Sequence, residues 1–144
     1  MQLTSSAFKH GKTIPKKYTC QGKDISPPLK IQDIPADAKS LALIVDDPDA
    51  PSGLWKHWLV HSIDTSTTEI KENAVPDGAY QVINDFGKKE YGGPCPPSGT
   101  HRYFFKLFAL DVDHLENATK KNFYQLIDDH KIEEAELMGN YKKK

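Results

Sequence analysis

A mostly-β domain with a helical C-terminal end is the fold class this sequence predicts, on three observations. Short apolar runs bounded by Pro, Gly and Asp clusters follow one another as far as Asp113. Two of those runs are dense in branched and aromatic residues, the composition of buried strands. Beyond Asp113 the apolar spacing changes to one close to a helical turn.

Taken in order, the elements have separate justifications. Between Tyr18 and Gly53 short apolar stretches alternate with the turn clusters Gln21–Asp24, Ser26–Pro28 and Pro35–Asp37. Ser40–Asp46 is rich in Leu, Ile and Val, which predicts a strand covered on both faces. Trp55–Ile63, "WKHWLVHSI", is the next strand. Strict alternation along it puts His57, Leu59, His61 and Ile63 on one face, with Trp58, Val60 and Ser62 on the other. The same rule puts Trp55 and Trp58 on opposite faces. Pro76-Asp77-Gly78 is a turn, because Pro presets φ and Gly accepts a positive one. "AYQVINDFG" reads as a weaker strand, and His101–Leu110 as the strongest. Near the end, Phe123, Leu126 and Ile127, then Ile132, Ala135 and Met138, predict a helix over Thr119–Asp129 and a second over Glu133–Leu137. Asn117 serves as N-cap and Gly139 as the stop.

Composition excludes several classes of function. A chain of 144 residues makes one domain, 1–144, large enough for its own core. With 19 basic against 20 acidic side chains, the net charge of −1 argues against nucleic acid as a partner. The basic Lys142–Lys144 tail reads as a solvated end. No apolar run exceeds the short "LALIV", so membrane insertion is not expected. The N-terminus lacks the pattern of a secretion signal, which points to a cytoplasmic location. Cys20 and Cys95 lack metal-type spacing and are expected to be free thiols in a reducing compartment.

Three stretches can carry chemistry. "DDPDAPSG" places Asp46, Asp47 and Asp49 directly after a buried strand. This is either a Pro-stiffened turn or a pair of carboxylates, Asp47 and Asp49, at the mouth of a pocket. His57 and His61 stand roughly 13 Å apart on a regular strand, too far to share one metal, so no metal site is expected. "YGGPCPPSGTHRY" combines glycines that let a ligand approach the main chain with prolines that stiffen it. Its free N–H groups, such as that of Cys95, can form an anion nest, and one of its X-Pro bonds is a candidate for the cis isomer. His101 and Tyr103 follow on one strand face. A His, a Tyr and converging N–H groups suit a phosphate monoester or diester.

In this order, "DPDAPSG", "HW" and "GGPCPPSGTHRY" resemble the phosphatidylethanolamine-binding protein family, in particular its compact bacterial and archaeal Raf-kinase-inhibitor-like branch. The resemblance covers nearly the whole chain, including the closing "HKIEEAELMGNYKK". It implies an antiparallel β-sandwich with short C-terminal helices and a small anion pocket at one end. Carried over by position, the ligand-binding residues would be Asp47, Asp49, His57, Gly93, Cys95, Pro96, Pro97, His101 and Tyr103, with no cofactor and no catalytic residue. The implied ligand is a phosphorylated small molecule or a phospholipid head group. A kinase or protease target and a homodimer are further expectations. One departure stands out: only Thr100 separates "PPSG" from "HRY", a shorter loop than in eukaryotic members.

Two other functions compete with simple binding. One is a phosphate-ester hydrolase using Asp47 or Asp49 with His57 and His101. The other is an interaction module that inhibits a kinase or protease through surface loops, with the pocket as its regulator.

Overall fold

The computed structural model describes residues 1–143, so Lys144 at the end of the basic tail lies outside the described residues. Two antiparallel sheets make a sandwich. The smaller contains β1 (Gln2–Thr4), β2 (Leu29–Gln32) and β5 (Glu69–Ile70), in the order β1-β2-β5. The larger contains β3 (Ser40–Asp47), β4 (Trp55–Ile63), β6 (Tyr80–Val82), β7 (Thr100–Leu110) and β8 (Lys131–Lys142), in the order β6-β4-β3-β7-β8. Among the described residues a single α-helix, α1 (Phe123–His130), precedes β8 without a loop. Among the described residues, no helix is long and apolar enough to cross a membrane.

The central strand β3 is buried along its whole length, as its composition predicts. Leu41, Leu43 and Val45 face the small sheet and share a core with Leu3, Leu29, Ile31 and Ile70. Ala42 and Ile44 face the other way, into a second core closed by Leu115 and by Phe123 and Ile127 of α1. The fold is therefore a two-sheet sandwich with a helix on the outer face of the larger sheet.

The predicted helix at Glu133–Leu137 is corrected to strand. β8 pairs with β7 along its length, from Thr100 opposite Lys142 to Leu110 opposite Lys131. The spacing of Ile132, Ala135 and Met138 looked helical, but Leu137, Gly139 and Tyr141 bury at every second position, and Ile132 is exposed. Long-range pairing with the strongest strand overrides a weak local pattern. Gly139 is not a helix stop. A Cβ there would lie 2.5 Å from Ile14 Cγ1 and 2.7 Å from Phe8 Cε2, so glycine lets the N-terminal segment pack onto the strand.

The first predicted helix is real but starts later. Its N-cap is Asn122, whose side chain accepts a bond from the Thr119 N–H instead of capping the helix. Asn117 sits in a left-handed turn with φ of 57°.

Two β-bulges overturn strict alternation in β4. Val45 pairs with Trp58 but Asp46 with Lys56, leaving His57 as an extra residue. Leu41 pairs with Ile63 but Leu43 with Val60, so His61 and Ser62 together face a single partner position. The first bulge turns Trp55, His57 and Trp58 to the inner face, and the second returns Ile63 to it. Leu59 and His61 stay on the helix side. The histidines expected on one face thus lie on opposite sides of the sheet, and the tryptophans expected on opposite faces lie on one.

Candidate functional site

β3, β4 and β7 end side by side, and a cavity of about 280 Å³ opens there. Asp47 from β3, Trp55 and His57 from β4, and His101 and Tyr103 from β7 line it. Ala50–Ser52, Phe86 and the Cys95–Pro97 turn complete the wall.

Asp47 is the organising group. One carboxylate oxygen accepts the Asp49 N–H at 2.7 Å, closing the turn after β3. The other accepts from His101 Nδ1 at 2.7 Å, and both side chains are almost wholly buried. This pairing fixes the His101 ring and leaves Nε2 for the cavity. Protonation of the ring turns that nitrogen from acceptor to donor.

His57 has the opposite character. Its Nδ1 lies 2.7 Å from the Gly92 carbonyl oxygen. A carbonyl only accepts, so Nδ1 carries the hydrogen and Nε2 holds the lone pair. Burial pushes the pKa of His57 down, against smaller opposing effects from the Gly92 carbonyl and the Asp47 charge. The ring therefore stays neutral and acts as an acceptor. Phe86 and Tyr103 hold it edge-on, with centroids 5.1 and 5.3 Å away.

Tyr103 supplies an unused donor. Among the described residues its buried hydroxyl donates to no partner, although the Cys95 backbone approaches it. Burial and the nearby Asp47 charge raise its pKa, so it remains a neutral O–H. An orphaned buried hydroxyl costs about 1–3 kcal/mol, which a ligand oxygen can recover.

Asp49 and Gly93 are placed outside the lining. Asp49 accepts from the Arg102 N–H, Nε and Nη2 at 2.9, 2.9 and 2.8 Å, a fork-like pair on the outer surface. The guanidinium holds the Asp49 carboxyl down at about 2. The N–H of Gly93 donates to Asp24 at 2.7 Å, away from the cavity. A Cβ on Gly93 would lie 2.3 Å from the Tyr18 carbonyl oxygen, so this glycine serves close packing of the rim. An extended N–H nest does not form here: Gly93 is engaged, and Pro94, Pro96 and Pro97 have no N–H to offer.

The cysteines are also corrected. Cys20 and Cys95 form a disulfide, with Cα atoms 5.4 Å apart. Their separation of 75 residues gave no hint of this pairing. The one-turn helix at Lys16–Tyr18 lays Cys20 against the rim, where its N–H donates to the Pro94 carbonyl at 3.1 Å. The Tyr91 hydroxyl adds a 2.9 Å bond to the Tyr18 carbonyl. All described peptide bonds are trans, including those before the rim prolines.

Sequence reasoning missed Phe86 and the Ala50–Ser52 wall, and strict alternation misplaced Trp55 relative to Trp58. Trp55 was hidden by the bulge. Phe86 is set by Asn84, a fully buried amide that bonds the carbonyls of His57 and Glu90 and accepts from the Phe86 N–H at 2.9 Å. An Asn in a polar turn carries no sequence signal for that role.

Comparison with known proteins agrees with this architecture. The phosphatidylethanolamine-binding protein family model matches residues 4–142. A UPF0098 protein of Chlamydia pneumoniae is 53% identical, with 99% of each chain covered. Another from Methanothermobacter thermautotrophicus is 47% identical with the same coverage. A crystal structure described as a putative phosphatidylethanolamine-binding protein homolog from Chlamydia trachomatis superposes with a TM-score of 0.91 at 46% identity, covering 99% of this chain and 97% of that one. Escherichia coli YbcL, described as a new member of the mammalian PEBP family, superposes with a TM-score of 0.93 at 33% identity over 99% and 98% of the two chains. Fold and sequence agree, and the chain belongs to the phosphatidylethanolamine-binding protein family.

Proposed function

We propose that this chain is a binding protein whose cavity takes a phosphate-type oxyanion, either free or as the phosphate of a phosphoethanolamine-type head group. The pairing of His101 with Asp47 carries the reading, because it aims a ring nitrogen at the cavity that becomes a donor on protonation. The unpartnered Tyr103 hydroxyl is a second donor. Neutral His57 is an acceptor, suited to the P–OH of a phosphate monoanion or to an ammonium N–H. The volume of about 280 Å³ is small beside the ~300–1,000 Å³ of most ligand pockets, which favours a head group over acyl chains.

Regulation of a kinase or protease target, with the cavity as the control point, extends the same reading to a protein partner. The hydrolase alternative has less support. Cys95 is held in a disulfide and Asp49 in its Arg102 pair. Among the described residues, no group of three or more His, Cys, Asp or Glu side chains is placed to hold a metal ion.

Calorimetry with phosphate and O-phosphoethanolamine tests the reading. Wild-type protein should bind, and His101→Gln should weaken binding about tenfold or more, the size of a lost charge-assisted hydrogen bond. Equal binding by the variant would remove His101 from the site. Turnover of an aryl phosphate that disappears in Asp47→Asn would favour the hydrolase.

A further inference from the structure

A second cavity, of about 390 Å³, opens on the helix side of the large sheet, across β4 from the first. Two histidines contribute to it through one shared serine. Ser62 Oγ lies 2.9 Å from His61 Nδ1 and 2.6 Å from His114 Nδ1. The two rings are 5.0 Å apart, and Tyr80 stacks on His61 at 5.5 Å. Ser62 sits in the second bulge with φ of 58°, a left-handed conformation that gathers at functional sites in L-residues.

Counting protons fixes what this trio presents. The single hydroxyl hydrogen serves one Nδ1, so the other Nδ1 must carry its own hydrogen and donate to Oγ. Protonating both rings would leave the hydroxyl hydrogen without an acceptor and set two charges side by side. The trio therefore admits one extra proton. Burial and then the neighbouring His114 push the pKa of His61 down to about 4, so His61 is the ring that stays neutral. Its Nδ1 accepts from Ser62 and its Nε2 carries a hydrogen. His114 donates Nδ1–H to Ser62, and its Nε2 is a lone pair when neutral or a donor when charged. Neither Nε2 has a partner among the described residues, and neither is sealed from solvent.

The other charged groups lining this cavity are cationic. Lys120 is paired with Asp85 at 3.0 Å, whereas Lys89 has no ion-pair partner among the described residues. Among the described residues no carboxylate lines the cavity, and Val82, Leu115 and Ala118 make its apolar wall.

We propose that this cavity is a second binding site, for a small organic anion with an oxyanion head on a compact apolar body, and that its binding is coupled to uptake of one proton by His114. The head accepts from His61 Nε2–H, from protonated His114 Nε2–H and from the Lys89 ammonium. The body rests against Val82, Leu115 and Ala118 beside the Tyr80 ring. No bond is made or broken, and the proton comes from solvent and goes to His114 Nε2.

NMR of the histidine ring resonances in the full chain tests this, with benzoate as probe and benzamide as its uncharged counterpart. Benzoate should shift His61 and His114 saturably, benzamide should not, and binding should weaken as pH rises from about 5.5 to 8. Lys89→Glu should weaken benzoate binding about tenfold, and His114→Gln should flatten the pH dependence. Equal shifts with benzamide, or benzoate shifts confined to His57 and His101, would overturn the proposal. So would a response to inorganic phosphate as strong as that to benzoate, because the apolar body would then contribute nothing. The two histidine pairs report the two cavities separately, so failure of the phosphate reading at the first leaves this result interpretable.

Discussion

His101 and Asp47 meet at 2.7 Å across 54 residues of sequence, and that contact joins the end of β3 to the start of β7 at the cavity wall. Asp49, two residues further on, bonds Arg102 on the outer surface instead. The two aspartates thus have different expected phenotypes. Asp47→Asn should weaken phosphate binding about tenfold or more, since His101 loses its anionic partner. Asp49→Asn should leave binding within about twofold, because an exposed pair contributes little. Calorimetry on both variants checks this, and equal losses would contradict the placement of Asp49.

Stability should fall with acid in a defined window. His57 and His61 both have depressed pKa values in the folded state, the latter at about 4, while the unfolded rings titrate at the ordinary 6.5. Below about pH 6.5 the unfolded chain binds protons that the folded rings refuse, so stability declines as pH falls, until the folded rings titrate too. Above that pH both states are neutral at these positions and the contribution is complete. Urea midpoints measured from about pH 7.5 to 4 should show the decline, and His61→Gln should reduce its slope. A flat profile would contradict both ring assignments.

The Cys20–Cys95 bridge closes a loop of 75 residues and holds the cavity rim. Cys20→Ser should lower stability by about 2–4 kcal/mol. Amide exchange in residues 91–97 should quicken as the rim loosens. Unchanged exchange there would mean that the hydrogen bonds to Tyr18, Cys20 and Asp24 hold the rim unaided.

Gly139→Val should destabilise by about 1–3 kcal/mol or more, because the added atoms collide with Ile14 and Phe8. Asn84→Ala should cost about 1–3 kcal/mol by removing the bond to the Glu90 carbonyl and one of the two bonds to the His57 carbonyl, which keeps the Gly92 N–H, and should also displace Phe86 from the cavity wall. Thermal melts measure both.

How much of this was legible in the sequence varied with the range of the deciding interaction. β3, β4 and β7 were, since dense runs of branched and aromatic residues define a strand locally. Of the residues the family resemblance named, Asp47, His57, Cys95, Pro96, Pro97, His101 and Tyr103 line one cavity, and Asp49 and Gly93 lie outside its lining. The failures share a physical cause. β8 is a strand because β7 pairs with it, and its own residues only weakly say so. The bulges at His57 and Ser62 arise from register with β3, which no periodicity within β4 reveals. The disulfide and the Asn84 bonds depend on segments brought together only by the completed fold.

The central claim is that the cavity at the ends of β3, β4 and β7 binds a phosphate-type anion. An NMR titration with phosphate and O-phosphoethanolamine, following the rings of all six histidines across about pH 5 to 8, tests it most directly. Saturable shifts confined to His57 and His101 are the predicted result. No shift of either ring at millimolar ligand would contradict the claim.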